Sequence, residues 1–254
     1  NMNQLEFEKL DVIAVLILFF VCYSIVNAEE GLVAHWSFEE NGNQAKDNGN
    51  NENVGKVIGS PKRVAGVKGQ ALEFDKKKKT HVQVTDSKSL DIINSITIEA
   101  WINPKSVYIG NDWKHRNCVL GKPTAYYLDI NEKGNLASYL YGAQPQEWLV
   151  GQTNMEKFIG NWVHIATVYD GKNHTLYING KPEKRVGKKG KIRSVDRMLE
   201  IGWVDNERYF DGLIDEVKLW NRALSRDELI AASTLVVEPL NKLSLLWSQI
   251  KIAE

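Results

Sequence analysis

The sequence predicts an all-β protein: two antiparallel sheets packed as a sandwich, with a signal helix at the N-terminus and a short helix near the C-terminus. Three observations predict it. From Gly31 onward, period-two hydrophobic runs alternate with clusters of Gly, Asn, Asp and Pro, as short antiparallel strands require. Asp170-Gly171 and Asn179-Gly180 fall between or after such runs, where a tight hairpin needs positive φ. The strand-like runs are also numerous enough for two packed sheets.

The first clear strand is LVAHWSF at 32–38, which places Leu32, Ala34, Trp36 and Phe38 on one face. SITIEAWIN at 95–103 does the same with Ile96, Ile98, Ala100 and Ile102, because successive strand side chains point to opposite faces. WVHIATVYD at 162–170 and HTLYI at 174–178 flank the Asp-Gly turn. Further strands are expected at 71–75, 81–85, 118–121, 125–130, 135–141, 147–153, 199–203 and 212–221. The Asn/Gly-rich stretch 41–55 is expected to be a long loop, and Lys76–Lys79 a solvated hairpin tip. After Asn221, Ser225 followed by Glu228 forms the S-x-x-E capping box that starts a helix. Beyond Pro239, Leu240, Leu243, Trp247 and Ile250 recur at helical spacing, one apolar stripe that would pack on the sandwich.

Residues 12–26, VIAVLILFFVCYSIV, are too short an apolar run to span a bilayer but suit a signal-peptide core. Val26 and Ala28 are the small residues of a cleavage site, so residues 1–28 read as a leader and export is expected. The acidic residues before the core, in MNQLEFEKLD, depart from the usual positive flank, and an uncleaved anchor is the alternative. After cleavage no membrane span is expected. Formal net charge is +0 for the whole chain, which gives no extended basic face for phosphates and excludes nucleic acid as the expected partner. Of two cysteines, Cys22 lies in the leader, which leaves Cys118 alone and no intramolecular disulfide to form.

Four segments together resemble a known family. They are GLVAHWSFEE at 31–40 with the loop Asp47-Asn48-Gly49-Asn50, GVKGQALEFD at 66–75 leading to SITIEAWINP at 95–104, GNWVHIATVYDGKNHTLYINGK at 160–181, and FDGLIDEVKLWNRALSRDEL at 210–229. In this order they are similar to the laminin-G-like jelly-roll domain of the concanavalin A-like lectin and glucanase superfamily, over roughly residues 31–231. The resemblance implies a domain at 29–231, followed by a tail at 232–254 that holds the short helix. It also implies ligands held by loops at an edge or on one sheet face, and fold alone does not fix function.

In GLIDEVKLW, strict alternation puts Leu213, Asp215, Val217 and Leu219 on one face. A buried carboxylate there needs a cationic side chain, a fan of backbone N–H groups or a metal. Calcium takes six to eight oxygen ligands, and Asp47 in its Asn/Gly-rich loop is the natural second ligand, although Asp-Asn-Gly is also ordinary turn chemistry. The resemblance implies a structural calcium joining the first loop to the last long strand, at Asp47 and Asp215, with Glu39 and Glu40 as weaker additions.

A glycan is recognised by aromatic rings laid on sugar CH faces beside amides and carboxylates. Two loops carry both kinds of group. SVYIGNDWKHRN at 106–117 offers Tyr108, Asn111, Asp112, Trp113 and His115; WVDNERYF at 203–210 offers Trp203, Asp205, Asn206, Arg208 and Tyr209. No catalytic residue is expected. The E-x-D-x-E strand motif of related glucanases is absent, adjacent Asp215 and Glu216 point to opposite strand faces, and there is no G-x-S-x-G elbow. His35, His164 and His174 show no metal-ligand spacing and read as structural. The expected function is a secreted, non-enzymatic glycan-binding module steadied by calcium. An extracellular protein-protein adhesion module is the alternative, and a polysaccharide-degrading glycosidase ranks third.

Overall fold

The computed structural model describes residues 29–60, 62–204 and 208–234. The expected leader, Asp205, Asn206 and the helix expected after Pro239 lie outside the described residues. Val33 begins the unit that holds the sandwich, and Asn1–Leu32 forms a separate unit.

Among the described residues the strands form two eight-stranded sheets. The first runs, in spatial order, β14 (Lys181–Gly187), β13 (Asn173–Ile178), β12 (Val163–Tyr169), β7 (Ile96–Pro104), β16 (Gly212–Trp220), β5 (Gln70–Phe74) and β4 (Lys62–Ala65), with β1 (Leu32–Trp36) also paired to β16. The second runs β11 (Leu149–Asn154), β10 (Asn135–Leu140), β9 (Tyr126–Ile130), β8 (Asn117–Lys122), β15 (Leu199–Ile201), β6 (His81–Val84), β3 (Gly55–Ile58) and β2 (Gln44–Ala45). Helix α1 (Arg226–Ser233) follows, and Ser225 and Glu228 form the expected reciprocal capping box. No helix among the described residues is long and apolar enough to cross a membrane.

The inner faces interdigitate as alternation requires. Trp36, Leu72, Ile98, Ala100, Ile102, Ile165 and Ile214 from one sheet meet Val82, Leu120, Tyr126, Leu128, Ile130 and Leu136 from the other. Each large apolar side chain buried in this way contributes about 1.5–3 kcal/mol. Phe38 is buried although β1 ends at Trp36, and it packs edge-on against Phe74, which does the same against Phe210.

The Asn179-Gly180 turn joins β13 to β14 with φ of 49° and 68°, the left-handed pair such a hairpin needs. Lys76–Lys79 is not a hairpin tip. The strands on either side of it belong to different sheets, so the run crosses the sandwich edge, and the Asp75 carboxylate accepts from the backbone N–H of Lys77 and Lys78. The 41–55 stretch carries the two-residue strand β2, paired to β3. Strands β3, β4 and β14 escape the sequence reading; β4 and β14 are the outermost strands of their sheet, and their many charges, which suit an exposed edge, hide the period-two pattern.

Strand β16 departs from strict alternation. Asp215 pairs with Trp101 and Lys218 with Glu99, so one extra residue is inserted, and Glu216 takes a φ of 47°. This is a β-bulge, which reverses the facing of everything beyond it. Ile214, Val217 and Leu219 therefore face the core. Leu213 and Asp215 sit on the outer face with Trp101, not on the side of Val217 and Leu219 as regular alternation predicts.

That outer face is also covered. Trp101 Nε1 donates to the Ala232 carbonyl of α1, and Glu99 accepts from Trp220 Nε1 at 3.0 Å and His164 Nε2 at 3.1 Å. Burial would raise the Glu99 carboxyl, but the His164 bond and charge outweigh it and hold the group below its ordinary value. His35 pairs with Glu216 at 3.0 Å. All three histidines named from the sequence thus hold structural contacts, the third between the sheets: His174 Nε2 lies 2.8 Å from Thr167 Oγ1 and 3.1 Å from Ser138 Oγ.

Burial lowers the His174 imidazole from 6.5 to about 3. Below 6.5 the unfolded chain binds this proton and the folded chain does not, so stability falls as pH drops through the window from 6.5 towards 3. His174→Gln is expected to flatten that limb of a melting-temperature profile, and a limb of unchanged slope would remove His174 as its source.

Candidate functional site

The carboxylates expected to meet calcium are found as anchors of turns. Asp215 is 0 % exposed. Its Oδ2 accepts from the backbone N–H of Val67 at 2.8 Å and Lys68 at 3.2 Å, and its Oδ1 accepts from Glu216 N–H at 2.7 Å. A fan of backbone amides therefore compensates the buried group, one of the three options its chemistry allows. Burial and the neighbouring Glu216 charge push its carboxyl up to about 7, against the pull of those amides. Gly66 makes the approach possible, since a Cβ there would lie 2.4 Å from Asp215 Oδ2. Glu39 secures the other end of the same turn, accepting from Gln70 N–H at 3.0 Å. Asp47 organises its own loop by accepting from His35, Gly49 and Asn53 N–H at 2.8–2.9 Å, and Glu40 accepts from Lys46 N–H. Among the described residues no group of three or more His, Cys, Asp or Glu converges as a metal cluster. A calcium ion at Asp47 or Asp215 would have to complete its shell from carbonyls and water.

The two aromatic loops have adjoining bases. Cys118 N–H donates to the Arg208 carbonyl, and Lys105 N–H and Ser106 N–H to the Asp211 carbonyl. Within the first loop, Tyr108 and His115 stack on each other at 5.3 Å, and His115 Nδ1 is 3.1 Å from Asp112 Oδ2. The side chain of Trp113 lies outside the described residues. From the second loop, Trp203 and Tyr209 gather with His81 of β6; the ring centroids of His81 and Trp203 are 4.5 Å apart and those of Trp203 and Tyr209 6.1 Å. Arg208 is buried and turns elsewhere, its guanidinium 5.8 Å from the Tyr127 ring.

That direction leads to the outer face of the second sheet, which the sequence reading did not single out. Register aligns Tyr139, Tyr127, Gly121, Glu200 and Gln83 across β10, β9, β8, β15 and β6. At one end Tyr127, Tyr139, Tyr141 and Trp148 form an aromatic cluster, with Tyr139 4.5 Å from Tyr141 and 5.0 Å from Trp148. Tyr127 is buried while Tyr139, Tyr141 and Trp148 are half-buried, so the last three present ring surface to solvent. Gly121 leaves room for Tyr127, whose ring would be 2.6 Å from a Cβ at that position.

Beneath the cluster, the Arg116 guanidinium lies 3.5 Å from the Trp148 ring centroid and 3.0 Å from Asp129 Oδ1. Burial pushes the Asp129 carboxyl up to about 6 in spite of Arg116 and Arg208. The guanidinium stacked under Trp148 fixes the indole plane. The signal in the sequence was phase: Tyr127, Tyr139 and Tyr141 occupy the outward positions of strands whose inward positions are Leu128, Ile130, Leu136 and Leu140. Trp148 precedes β11 in an irregular segment and had no such signal.

Three comparisons with known proteins bear on this arrangement. No curated protein matches the chain at a significant level. Among solved structures, the binding domain of Paraclostridial Mosquitocidal Protein 1 superposes with a TM-score of 0.64 at 16% identity, covering 81% of this chain and 52% of that one. Domain 4 of AbnA, a GH43 extracellular arabinanase from Geobacillus stearothermophilus solved with arabinotriose, gives 0.62 at 22% identity, covering 80% and 98%. A botulinum neurotoxin type C structure, described by cell entry dependent on two ganglioside molecules, gives 0.65 at 11% identity, covering 82% and 52%. The chain spans about half the length of the toxin chains it matches, and identities this low establish a shared fold. The family described as the concanavalin A-like lectin/glucanases superfamily, Laminin_G_3, matches residues 76–230, more than half of the sequence. With the two-sheet antiparallel architecture beside that match, the chain belongs to the concanavalin A-like lectin/glucanases superfamily.

Proposed function

We propose that the protein is a secreted, non-catalytic glycan-binding module that receives its ligand on the outer face of the second sheet. One observation carries this reading: Tyr139, Tyr141 and Trp148 stand together, half-exposed, on a guanidinium-backed platform beside buried polar groups. Rings held in this way suit the CH faces of a sugar, and the half-buried Gln83 farther along the row can meet a hydroxyl. Domain 4 of the arabinanase, solved with arabinotriose, and the ganglioside-dependent toxin supply precedent on the same fold. The missing E-x-D-x-E motif supports a binding role. Secretion rests on the apolar leader at 12–26, and N-terminal sequencing of exported protein should start near Glu29.

The Trp203–Tyr209–His81 group is the second aromatic patch on this face, and the Tyr108–His115 loop is a further rim. An extracellular protein partner is the competing occupant, with the same rings as interface anchors. A glycan array separates the two: the proposal expects saturable, sugar-specific binding, which Trp148→Ala and Tyr141→Ala each weaken at least about tenfold with the melting temperature held near wild type. A blank array together with capture of a protein partner would sink it.

Calcium is a separable part of the proposal, placed at the loop that Asp47 organises. Thermal scans in calcium and then in chelator are expected to show a stabilising increment that Asp47→Ala abolishes. The same variant should lose about 2 kcal/mol in chelator, because three backbone N–H groups lose a carboxylate acceptor. If wild-type melting is identical in both buffers, calcium drops out and the glycan assignment stands on its own test.

A further inference from the structure

The aromatic platform is bordered by a surplus of positive charge. Residues 187–193 read GKKGKIR, four basic residues and no acidic one. The segment is fastened beside the platform rather than loose over it. Gln144 N–H donates to the Lys189 carbonyl at 2.7 Å, Lys189 N–H to the Gln144 carbonyl at 2.8 Å, and Arg193 N–H to the Tyr141 carbonyl at 2.8 Å. These bonds hold the Arg193 guanidinium 5.6 Å from the Tyr141 ring and the Lys188 ammonium 5.8 Å from the Tyr139 ring.

The cations around the platform fall into two kinds. Arg116 is neutralised by Asp129 at 3.0 Å and Glu132 at 3.8 Å. Lys188 is only 1 % exposed, and its ammonium donates to the carbonyls of Pro145 and Glu147. Those acceptors satisfy its protons, while burial lowers its pKa against the opposing pull of the Glu147 charge. Arg193 is exposed, and its side chain forms no ion pair with a described residue. Lys189 and Lys191 extend the same edge, and Glu147 is the exposed carboxylate on the facing turn. A platform with a fixed surplus of positive charge along one side selects for ligands that carry negative charge at that side.

We infer that the Tyr139–Tyr141–Trp148 face takes an anionic saccharide, its pyranose ring on the aromatics and its carboxylate or sulfate towards Arg193 and Lys188. The inference rests on the glycan-binding reading and narrows it to acidic sugars. Arg193 is the side chain that reaches solvent, so it makes the direct charge-assisted contact. Lys188 sets the sign of the potential from below.

Titration calorimetry of the full chain with trigalacturonate, a sulfated galactan trisaccharide and neutral galactotriose tests it. At least one acidic probe should bind about tenfold or more tightly than galactotriose at low salt, with the advantage shrinking as salt rises. Binding by trigalacturonate alone or by the sulfated probe alone supports the inference equally and names the anionic group. Arg193→Gln should erase most of that advantage with the melting temperature unchanged, since the position is exposed and its backbone bond survives. Equal or tighter binding of galactotriose overturns the inference and leaves glycan binding standing. An acidic preference that persists in Arg193→Gln overturns the placement at this rim. Silence from all three probes also overturns the inference, and the glycan array then decides the broader reading by itself.

Discussion

A β-strand has two faces, and a sandwich core uses only one of them. How each sheet disposes of its second face decides what this protein can do. The first sheet seals its outer face with side chains and helix: Trp101 reaches the Ala232 carbonyl of α1, and Glu99 collects His164 and Trp220. Strand β7 is consequently buried along nearly its whole length on both sides. The second sheet has no described helix over its outer face and aligns Tyr139, Tyr127, Gly121, Glu200 and Gln83 across five strands. The proposed glycan site lies on the face that packing does not consume.

The same division governs charge. Lys122 is 0 % exposed and pairs with Asp86 at 2.7 Å and Asp91 at 2.8 Å. Asp129 is matched by Arg116, and Asp215 by backbone amides. Buried charges are tolerated when geometry and extra hydrogen bonds offset their desolvation, and these pairs join segments far apart in sequence. Asp215 ties the closing strand to the β4–β5 turn, and Glu183 of β14 accepts from Gln152 and Thr153 N–H of β11, which links the edges of the two sheets. Cys118 is the one cysteine among the described residues, so these ties across the sandwich are non-covalent. Lys188, beside the aromatic platform, is held by the carbonyls of Pro145 and Glu147.

The central strands were legible because period-two burial writes itself into composition: ITIEAWINP, VHIATVY and NHTLYI all fall where alternation put them. Ser225 and Glu228 marked the helix start through chemistry local to one turn. Edge strands β4 and β14 were hidden because solvent accepts charge on both sides of an outer strand. The bulge at Glu216 was hidden as well, since one inserted residue changes the facing of Asp215 relative to Val217 without changing the residue types.

Of the site, the sequence marked Trp203 and Tyr209 as loop aromatics, and structure gathers both with His81. It named Asp47, Asp215 and Glu39 as calcium ligands, and in the structure each accepts from backbone N–H groups. By itself, then, the sequence determined the all-β class, the central strands and the capped helix, because each follows from local periodicity or from chemistry within one turn. Tertiary structure alone decided which strands share a sheet, which outer face stays open, and that Arg116, Trp148, Tyr139 and Arg193 meet there. Those meetings depend on cross-strand register and loop docking between residues distant in the chain, and no local pattern encodes them.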